Sequence, residues 1–471
     1  MTGAPEPFWI DAAEAVTAVI FASAILQNFV MIAQLAIAAS ALRARPVVDS
    51  VLLERRSRGL LPSISVIAPA FNEERTILVS LRSMLSLNYE KLEIIIVNDG
   101  SSDATFAKLA TAYDLAPILE PLPVLLPHKP VRGVYRSRVD DRLIVIDKVN
   151  GGKADAQNAA INLSRASHFC IVDGDTILER DALLRAAQPF LEDPRTIAVG
   201  GALRVANGLD IRDGRVEGVR VSSRFLPRVQ IVEYLRSFLM ARLAWTQLNA
   251  LMIISGAFGL FRRDVVVEIG GYATGSLGED LDIVVRLHRH MLERRRDYRI
   301  GFVPEPACWT EVPESLTVLG RQRSRWQVGA LQCFFQNKRM ALNPRYTWVG
   351  TLGFGHIILV DLLGPILEVL GYFTLPLFWL FGALSWTHLA AFAALVFGLG
   401  TFTSIASLML AEFQLRPYPA PGDLAKLGSA AILENFGYRQ LHNFWRLRGW
   451  WHYLTSQNSW GEMPRLGFQS D

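Results

Sequence analysis

Cysteine is scarce in this chain of 471 residues: Cys170, Cys308 and Cys333 stand far apart with no paired spacing. That excludes a disulfide framework and a thiolate metal site, and it fits a reducing compartment in which each thiol is a small apolar core residue. Positive charge is missing from two long stretches. No Lys or Arg occurs from Met1 to Leu42 or from Tyr346 to Leu415. A cleaved signal peptide opens on basic residues, so the first absence, together with Glu6 and Asp11, argues for a retained anchor. Long internal repeats and low-complexity tracts are also lacking, which leaves hydropathy as the main guide to domain boundaries. The net charge of +4 is small and points to no particular partner.

What is present is apolar. The hydrophobic share of 51% exceeds that of ordinary soluble domains, and the excess is concentrated at the two ends. Ala15 to Leu42 is long enough to cross a hydrocarbon core as one helix, so residues 1–45 read as a transmembrane anchor. Arg43, Arg45, Arg55, Arg56 and Arg58 follow directly, which by the positive-inside rule places that side in the cytoplasm. The second region, 344–440, is too long for a single span. Breaks at "DLLGP" (Asp361 to Pro365) and "LSWTH" (Leu384 to His388) predict three crossings. Leu424 to Tyr438 then re-enters or lies on the membrane surface, since it carries Glu434 and Asn435. In the basic tail, 441–471, interleaved Trp and Phe suit the headgroup region beside a membrane, and no nucleic acid is expected there.

Between these ends, residues 60–343 have the composition of a globular domain with alternating strand-like and helix-like runs. "ISVIAPA", "LEIIIVNDG", "RLIVIDK" and "HFCIVDGD" read as strands, separated by the helical runs "EERTILVSLRSMLSL", "SSDATFAKLATAY" and "KADAQNAAINLS". This is an α/β pattern with a mainly parallel sheet. Leu115 to Asp141, with several prolines and no period, reads as a peripheral excursion. Ligands of such sheets bind beyond the carboxyl ends of strands, so the polar residues at the strand stops mark the site.

Those stops carry the chemistry. Ser101, Ser102 and Asp103 have a plain helix-capping explanation, whereas Asp99 precedes the cap, where folding alone gives no reason for a charge. Lys153 follows two glycines at the start of a helix, an unfavourable place for a cation unless an anion such as a phosphate offsets it. Asp173 and Asp175 occupy alternating positions at the end of an apolar run; on an extended chain they face one point and call for a hard divalent cation shared with phosphate oxygens. "SGAFGLFRRD" offers close approach to a bulky partner. In "GSLGEDLDIVVRLH", Asp280 either biases a helix terminus or acts as a general base on a hydroxyl. Gln322, Arg325 and Trp326 in "RQRSRWQVGA" share one helical face, offering a guanidinium for a pyrophosphate and an indole for a sugar ring; the plain alternative is a basic helix against the membrane.

In this order, "NDGSSD", "DGD", "GED" and "QRSRW", flanked by membrane segments, resemble the membrane-bound family-2 inverting glycosyltransferases, the group of the cellulose, hyaluronan, chitin and poly-N-acetylglucosamine synthases. The resemblance spans essentially the whole cytoplasmic domain, and the ordered set is far more specific than any one piece. It implies a GT-A fold and transfer of a sugar from a UDP-sugar to a hydroxyl with inversion. Asp99 is then expected at the uridine, and Asp173 at the nucleotide and beside the metal. Asp175 is expected on the Mg²⁺ or Mn²⁺ of the diphosphate, and Asp280 as the base. Pro69, Asn72, Glu73, Lys153 and Arg325 fall on the nucleotide-sugar side; Gly256, Phe258, Glu279, Gln322 and Trp326 fall on the acceptor side. One departure is that "GED" stands where many members have Thr-Glu-Asp, which keeps the acids and loses a hydroxyl. The expected function is processive polysaccharide synthesis coupled to export at the cell membrane, with room for accessory subunits. A non-processive transferase acting on a membrane lipid, or a nucleotide-sensing scaffold without turnover, are the alternatives.

Overall fold

Apolar β-branched residues run together at Ile64–Ala70 (β1) and Leu92–Asn98 (β2), and both segments are buried on nearly every residue, as parallel strands covered on two faces must be. They pair in parallel, Ile64 opposite Leu92 and Ala70 opposite Asn98. The computed structural model describes residues 8–44, 59–119, 123–415, 418 and 420–456. Its further strands are Leu115–Pro117 (β3), Val131–Ser137 (β4), Leu143–Lys148 (β5), His168–Ile171 (β6), Ile177–Leu178 (β7), Thr196–Val205 (β8), Asp210–Arg212 (β9), Arg215–Gly218 (β10), Gly259–Arg262 (β11) and Arg299–Thr310 (β12). Ten of them form one sheet in the order β3-β4-β5-β2-β1-β6-β11-β8-β12-β7, while β9 and β10 make a separate hairpin. β5, β2, β1 and β6 run parallel; β11 is antiparallel to both β6 and β8.

The helices are Phe8–Ala44 (α1), Ile77–Leu85 (α2), Thr105–Tyr113 (α3), Lys153–Leu163 (α4), Ala182–Glu192 (α5), Phe225–Tyr234 (α6), Ala241–Gln247 (α7), Arg263–Glu268 (α8), Glu279–Glu293 (α9) and Leu316–Gln336 (α10). Beyond these lie Val349–Leu380 (α11), Trp386–Phe413 (α12), Pro421–Leu433 (α13) and Arg439–Leu454 (α14). A π-helical stretch, Leu235–Met240, joins α6 to α7. The two-residue period of the strands divides the core between the sheet's faces. Ile67, Ile95 and Phe169 pack with Ala160 and Ile161 of α4, whereas Val66, Ile94 and Cys170 pack with Leu81 of α2 and Leu183 of α5. Each such side chain contributes about 1.5–3 kcal/mol on burial. All three cysteines are buried and free.

Leu115 to Asp141 is not merely an excursion. It contains β3 and β4, which pair with each other, and β4 extends the sheet edge antiparallel to β5. Only Val134 and Ser137 of β4 are buried, so this edge strand lacks the continuous apolar run by which the inner strands are recognised.

Among the described residues, three helices are long and apolar enough to cross a membrane: Trp9–Ala44, Val349–Leu380 and Trp386–Phe413. The second apolar region therefore supplies two such helices, not three. The chain does turn between Leu380 and Trp386, at Gly382, but it passes through Asp361–Pro365 without a break. There a π-helical stretch, Ile357–Leu363, precedes Pro365, which sits at the start of the next α-helical segment, where its missing N–H costs least. Asp361 is held by Arg446 at 3.2 Å.

Leu424 to Tyr438 is two-faced: Glu434 and Asn435, both 2% exposed, are turned into the protein, with Arg236 paired to Glu434, while Ile432, Leu433 and Phe436 are exposed on the other face. The helix α13 packs on α6 and α12, and a kink at Phe436 and Gly437 leads into α14. α14 lies along α10, with Ser324 Oγ donating to the Trp445 carbonyl at 2.9 Å and Arg446 Nε to Gln327 Oε1 at 2.9 Å. Part of the basic-aromatic tail thus faces protein rather than headgroups, while Trp451 remains exposed. Arg43 is exposed at the end of α1; Glu6, Arg45, Arg55, Arg56, Arg58 and residues 457–471 lie outside the described residues.

Candidate active site

The stops of β2, β5 and β6 come to one edge of the sheet, and β11 starts there because it runs the opposite way. Asp99, just past β2, is 3% exposed. It accepts hydrogen bonds from Lys148 Nζ at 2.8 Å, Gly151 N at 3.0 Å and Gly152 N at 2.8 Å. Folding therefore does give a reason for this charge: Asp99 moulds the loop that carries Lys153. Asp103 likewise accepts from the backbone of Thr105 and Glu74, tying two loops together, while the residue that caps the helix is Ala104 and makes no side-chain cap bond. Asn72 and Glu73 are bound into the same loop system, Asn72 Oδ1 accepting from Ser102 N at 2.8 Å and Glu73 N donating to Thr105 Oγ1 at 2.9 Å.

At the first residue of α4, Lys153 Nζ lies 2.6 Å from Asp173 Oδ1 and 3.4 Å from Glu279 Oε1. The anions that offset this helix-terminal cation are the protein's own carboxylates. Burial works to lower the Lys153 pKa, but Asp173, Glu279 and Asp280 outweigh it and hold the ammonium above its ordinary value. Gly256 closes against the same group: a Cβ there would stand 2.5 Å from Lys153 Nζ. Segments that are scattered in the sequence, "GGK", "DGD", "SGAFG" and "GED", thus converge on one ammonium.

Asp280 occupies the second position of α9, with Leu281 N donating to its Oδ1 at 3.0 Å. Its side chain is half-buried. Burial, then the neighbouring Glu279, push its carboxyl up to about 6 against the downward pull of Lys153 and Arg242. A carboxylate that titrates close to neutrality is matched to proton abstraction from a hydroxyl.

The acid pair departs from its expected geometry. β6 ends at Ile171, so Asp173 and Asp175 do not alternate along a strand. The chain turns between them at Gly174, where a Cβ would come 2.8 Å from the Pro69 carbonyl. As a result Asp173 keeps a 30% exposed side chain facing Lys153, while Asp175 is 2% exposed. Among the described residues no group of three or more His, Cys, Asp or Glu is placed to hold a metal. Two carboxylates at one turn, one of them open to the cleft, fit a Mg²⁺- or Mn²⁺-like ion that completes its shell with phosphate oxygens and water, not an ion caged by protein alone.

On α10, Trp326 is 37% exposed, and Gln322 and Arg325 are half-buried. The guanidinium stacked on Trp326 belongs to Arg323, 4.1 Å from the ring centroid, and Arg323 Nη2 is paired with Glu233 Oε2 at 2.8 Å. Phe258 is fully buried with Leu260 and Leu203 and offers no surface to an acceptor, so its expected contact is replaced by a packing role. Sequence reasoning missed Arg323 and Arg242. The latter's signal was a lone charge within the apolar run "FLMARLAW".

The chain matches two family models, glycosyl transferase family group 2 over residues 168–403 and glycosyl transferase family 2 over residues 65–270. It is similar to the poly-β-1,6-N-acetyl-D-glucosamine synthase of Staphylococcus aureus (strain COL), 32% identical over 291 residues, which cover 61% of this chain and 60% of the relative. The synthase of the same name from Staphylococcus epidermidis is 29% identical over 278 residues, 59% of this chain and 57% of that one. The chain's match thus spans about 60% of the length of these curated relatives. Among solved structures, the mannosyltransferase PcManGT from Pyrobaculum calidifontis, in complex with GDP-Man and Mn²⁺, aligns over 95% of this chain and 99% of its own, with a TM-score of 0.55 at 19% identity. That likeness, with the mixed and mostly parallel sheet, shows the expected GT-A fold.

Proposed function

As a member of glycosyl transferase family group 2, whose model spans half of it, the chain is a glycosyltransferase, and we propose that it extends a polysaccharide from UDP-N-acetylglucosamine, inverting the anomeric centre at each addition. The convergence of Lys153, Asp173, Glu279 and Gly256 beside Asp280 carries this reading. The donor sugar in this reading follows the staphylococcal relatives, which are poly-β-1,6-N-acetyl-D-glucosamine synthases. A catalytic domain on the cytoplasmic side, where nucleotide sugars are made, accords with the exposed Arg43 at the end of α1.

In this reading the diphosphate lies toward Lys153 and the Asp173–Asp175 turn. Asp173 and Asp175 would hold the Mg²⁺ or Mn²⁺, which when bound would supply positive charge to the departing diphosphate. Lys153, kept charged by its carboxylate neighbours, adds a second cation on that side. Asp280 takes the proton of the acceptor hydroxyl as that oxygen attacks the anomeric carbon from the face opposite the leaving group. One displacement inverts the centre, and no covalent sugar–enzyme intermediate forms. Trp326, the exposed indole of α10, receives the apolar face of the acceptor's terminal sugar. With α1, α11 and α12 beside this face, repeated addition delivers the growing chain toward the bilayer.

The test uses the purified full chain in lipid nanodiscs with UDP-N-acetylglucosamine, UDP-glucose and GDP-mannose, each with Mn²⁺. Nucleotide release, product length and anomeric configuration are measured. Long β-linked chains from UDP-N-acetylglucosamine are expected, and Asp280→Asn should abolish them while retaining nucleotide binding. An α-linked product, or full activity of Asp280→Asn, would remove the mechanism; a single sugar on a lipid would remove processivity.

A further inference from the structure

Helix α10 meets the loop of the base backbone to backbone. At Gly278, the residue before α9, a Cβ would stand 3.0 Å from Gly329 Cα; at Gly329, one turn beyond Trp326 on α10, a Cβ would stand 2.8 Å from Gly278 Cα. Each glycine therefore sets the room of the other. Gly278 has φ at −126°, a value that side-chain-bearing residues adopt, so the contact and not the conformation calls for glycine here. One turn further along α10, Gln332 Oε1 accepts from Leu277 N at 2.9 Å. Toward the other end of the pair, Val285 of α9 packs in one cluster with Leu331 of α10, and Arg289 Nη1 donates to Asn337 Oδ1 at 2.7 Å. The two helices are joined along their length.

Two functional side chains depend on that joint. Among the described residues the carboxylate of Asp280 accepts one hydrogen bond, from its own neighbour Leu281 N, so its direction follows the direction of the loop. Trp326, the exposed indole, stands on α10 one turn before Gly329. Resting on the transferase reading above, we infer that Gln332 is a positioning residue for sugar transfer: with the Gly278–Gly329 contact it locks the loop of Asp280 to the helix of Trp326, so that a sugar seated on the indole presents its hydroxyl to the carboxylate. Backbone contact alone leaves the loop free to slide along α10. The Gln332 carbonyl removes that freedom, because a hydrogen bond is directional. A misplacement of about 1 Å between reacting groups is enough to cost on the order of 100-fold in rate, which is the scale on which such a joint matters.

The experiment compares wild type, Gln332→Met, Gln332→Glu and Gly278→Ala as purified full chains in lipid nanodiscs at pH 8. UDP-N-acetylglucosamine, Mn²⁺ and a soluble β-1,6-linked N-acetylglucosamine tetramer are supplied, and tetramer extension is measured together with release of free N-acetylglucosamine. Gln332→Met keeps the length of the side chain and removes the oxygen that holds Leu277 N; kcat for extension should fall about tenfold or more with the acceptor KM nearly unchanged, the pattern of an interaction realised in the transition state. The share of donor lost to water should rise, since water needs no seat on α10. Gln332→Glu retains an oxygen for Leu277 N and should recover most of the extension rate. Gly278→Ala should act in the same direction as Gln332→Met, because its Cβ presses the loop away from Gly329. Extension and hydrolysis that fall together, in step with a lower melting temperature, would make Gln332 a structural residue. A raised acceptor KM with kcat unchanged would make it a binding residue, and no recovery in Gln332→Glu would remove the hydrogen bond as the cause; each of these overturns the assignment. Wild type and Gln332→Met that extend the tetramer equally well sink this inference and leave the reading beneath it intact. Wild type that binds UDP with Mn²⁺ but consumes no donor sinks the transferase reading, and the positioning role falls with it.

Discussion

Lys148 Nζ lies 2.8 Å from Asp99 Oδ1 and 2.5 Å from Asp155 Oδ1, with the lysine wholly buried. One cation is thus shared by two carboxylates, and the surplus negative charge is met by backbone donors, from Gly151 and Gly152 to Asp99 and from Lys129 to Asp155. The cluster ties the end of β2, the end of β5 and the first turn of α4 together, and so fixes where Lys153 enters the site.

Removing the shared cation should be among the most damaging single changes in the domain. Lys148→Met leaves Asp99 and Asp155 facing each other in the interior, and breaking a buried pair in this way costs about 3–5 kcal/mol. Thermal unfolding of the purified chain should show the loss directly. A melting temperature within a degree of wild type would mean that the loop 149–152 is held by something else.

Gly256→Ala probes the opposite side of Lys153. The added Cβ would meet Nζ at 2.5 Å, but the obstacle is the far end of a flexible side chain. The lysine can swing away at little cost in stability, and the contacts to Asp173 and Glu279 are what it gives up. A fall of about tenfold or more in kcat/KM with a nearly unchanged melting temperature is expected. Equal losses in both would instead point to a disturbed backbone between Ser255 and Gly259.

The strands that carry the site were readable in the sequence because residues such as Ile94 to Val97 are buried on both faces and leave an unbroken apolar run. Edge strand β4 was not, since its outward residues are polar and only the pairing with β5 defines it. The motif order located the acids, yet it could not tell a charge that serves the fold from one that serves a ligand. Asp99 differs from Asp173 by the buried Lys148 that a distant register brings to it, and no local spacing reports that. Local spacing likewise does not report that helix α10 turns Arg323 inward to Glu233. Pro365 read as a break because a π-helical stretch that absorbs a proline has no simple sequence signature.

The position of Asp280 on the pH scale should be visible in two measurements. As a base it works only when ionised, so with a carboxyl pushed up to about 6 by burial and by Glu279, kcat/KM should level off above that pH and fall about tenfold per unit below it. Stability runs the other way. A folded pKa raised above the ordinary 3.8 means that the protonated form contributes stability, complete below 3.8 and lost as the pH rises through about 6. Asp280→Asn should therefore raise the melting temperature at pH 7.5, with the gain shrinking toward pH 5. A gain independent of pH would place the cause outside this ionisation.

The two acids of the "DGD" turn should also separate by experiment. Chelation is expected to stop transfer and Mn²⁺ to restore it, but activity alone does not say which side chain holds the ion. Asp175, 2% exposed, can serve only an ion that enters the turn, whereas Asp173 also anchors Lys153 at 2.6 Å. Asp175→Asn should weaken Mn²⁺ binding in the presence of UDP by about 10–100-fold, the range seen when even supporting groups of a metal site are lost. Asp173→Asn should do the same and in addition release Lys153, lowering nucleotide affinity at saturating metal. Mn²⁺ titration followed by electron paramagnetic resonance reads the first effect, and UDP calorimetry at saturating Mn²⁺ reads the second. Wild-type Mn²⁺ affinity in Asp175→Asn would place the ion on Asp173 alone and leave the buried acid a purely structural part of the turn.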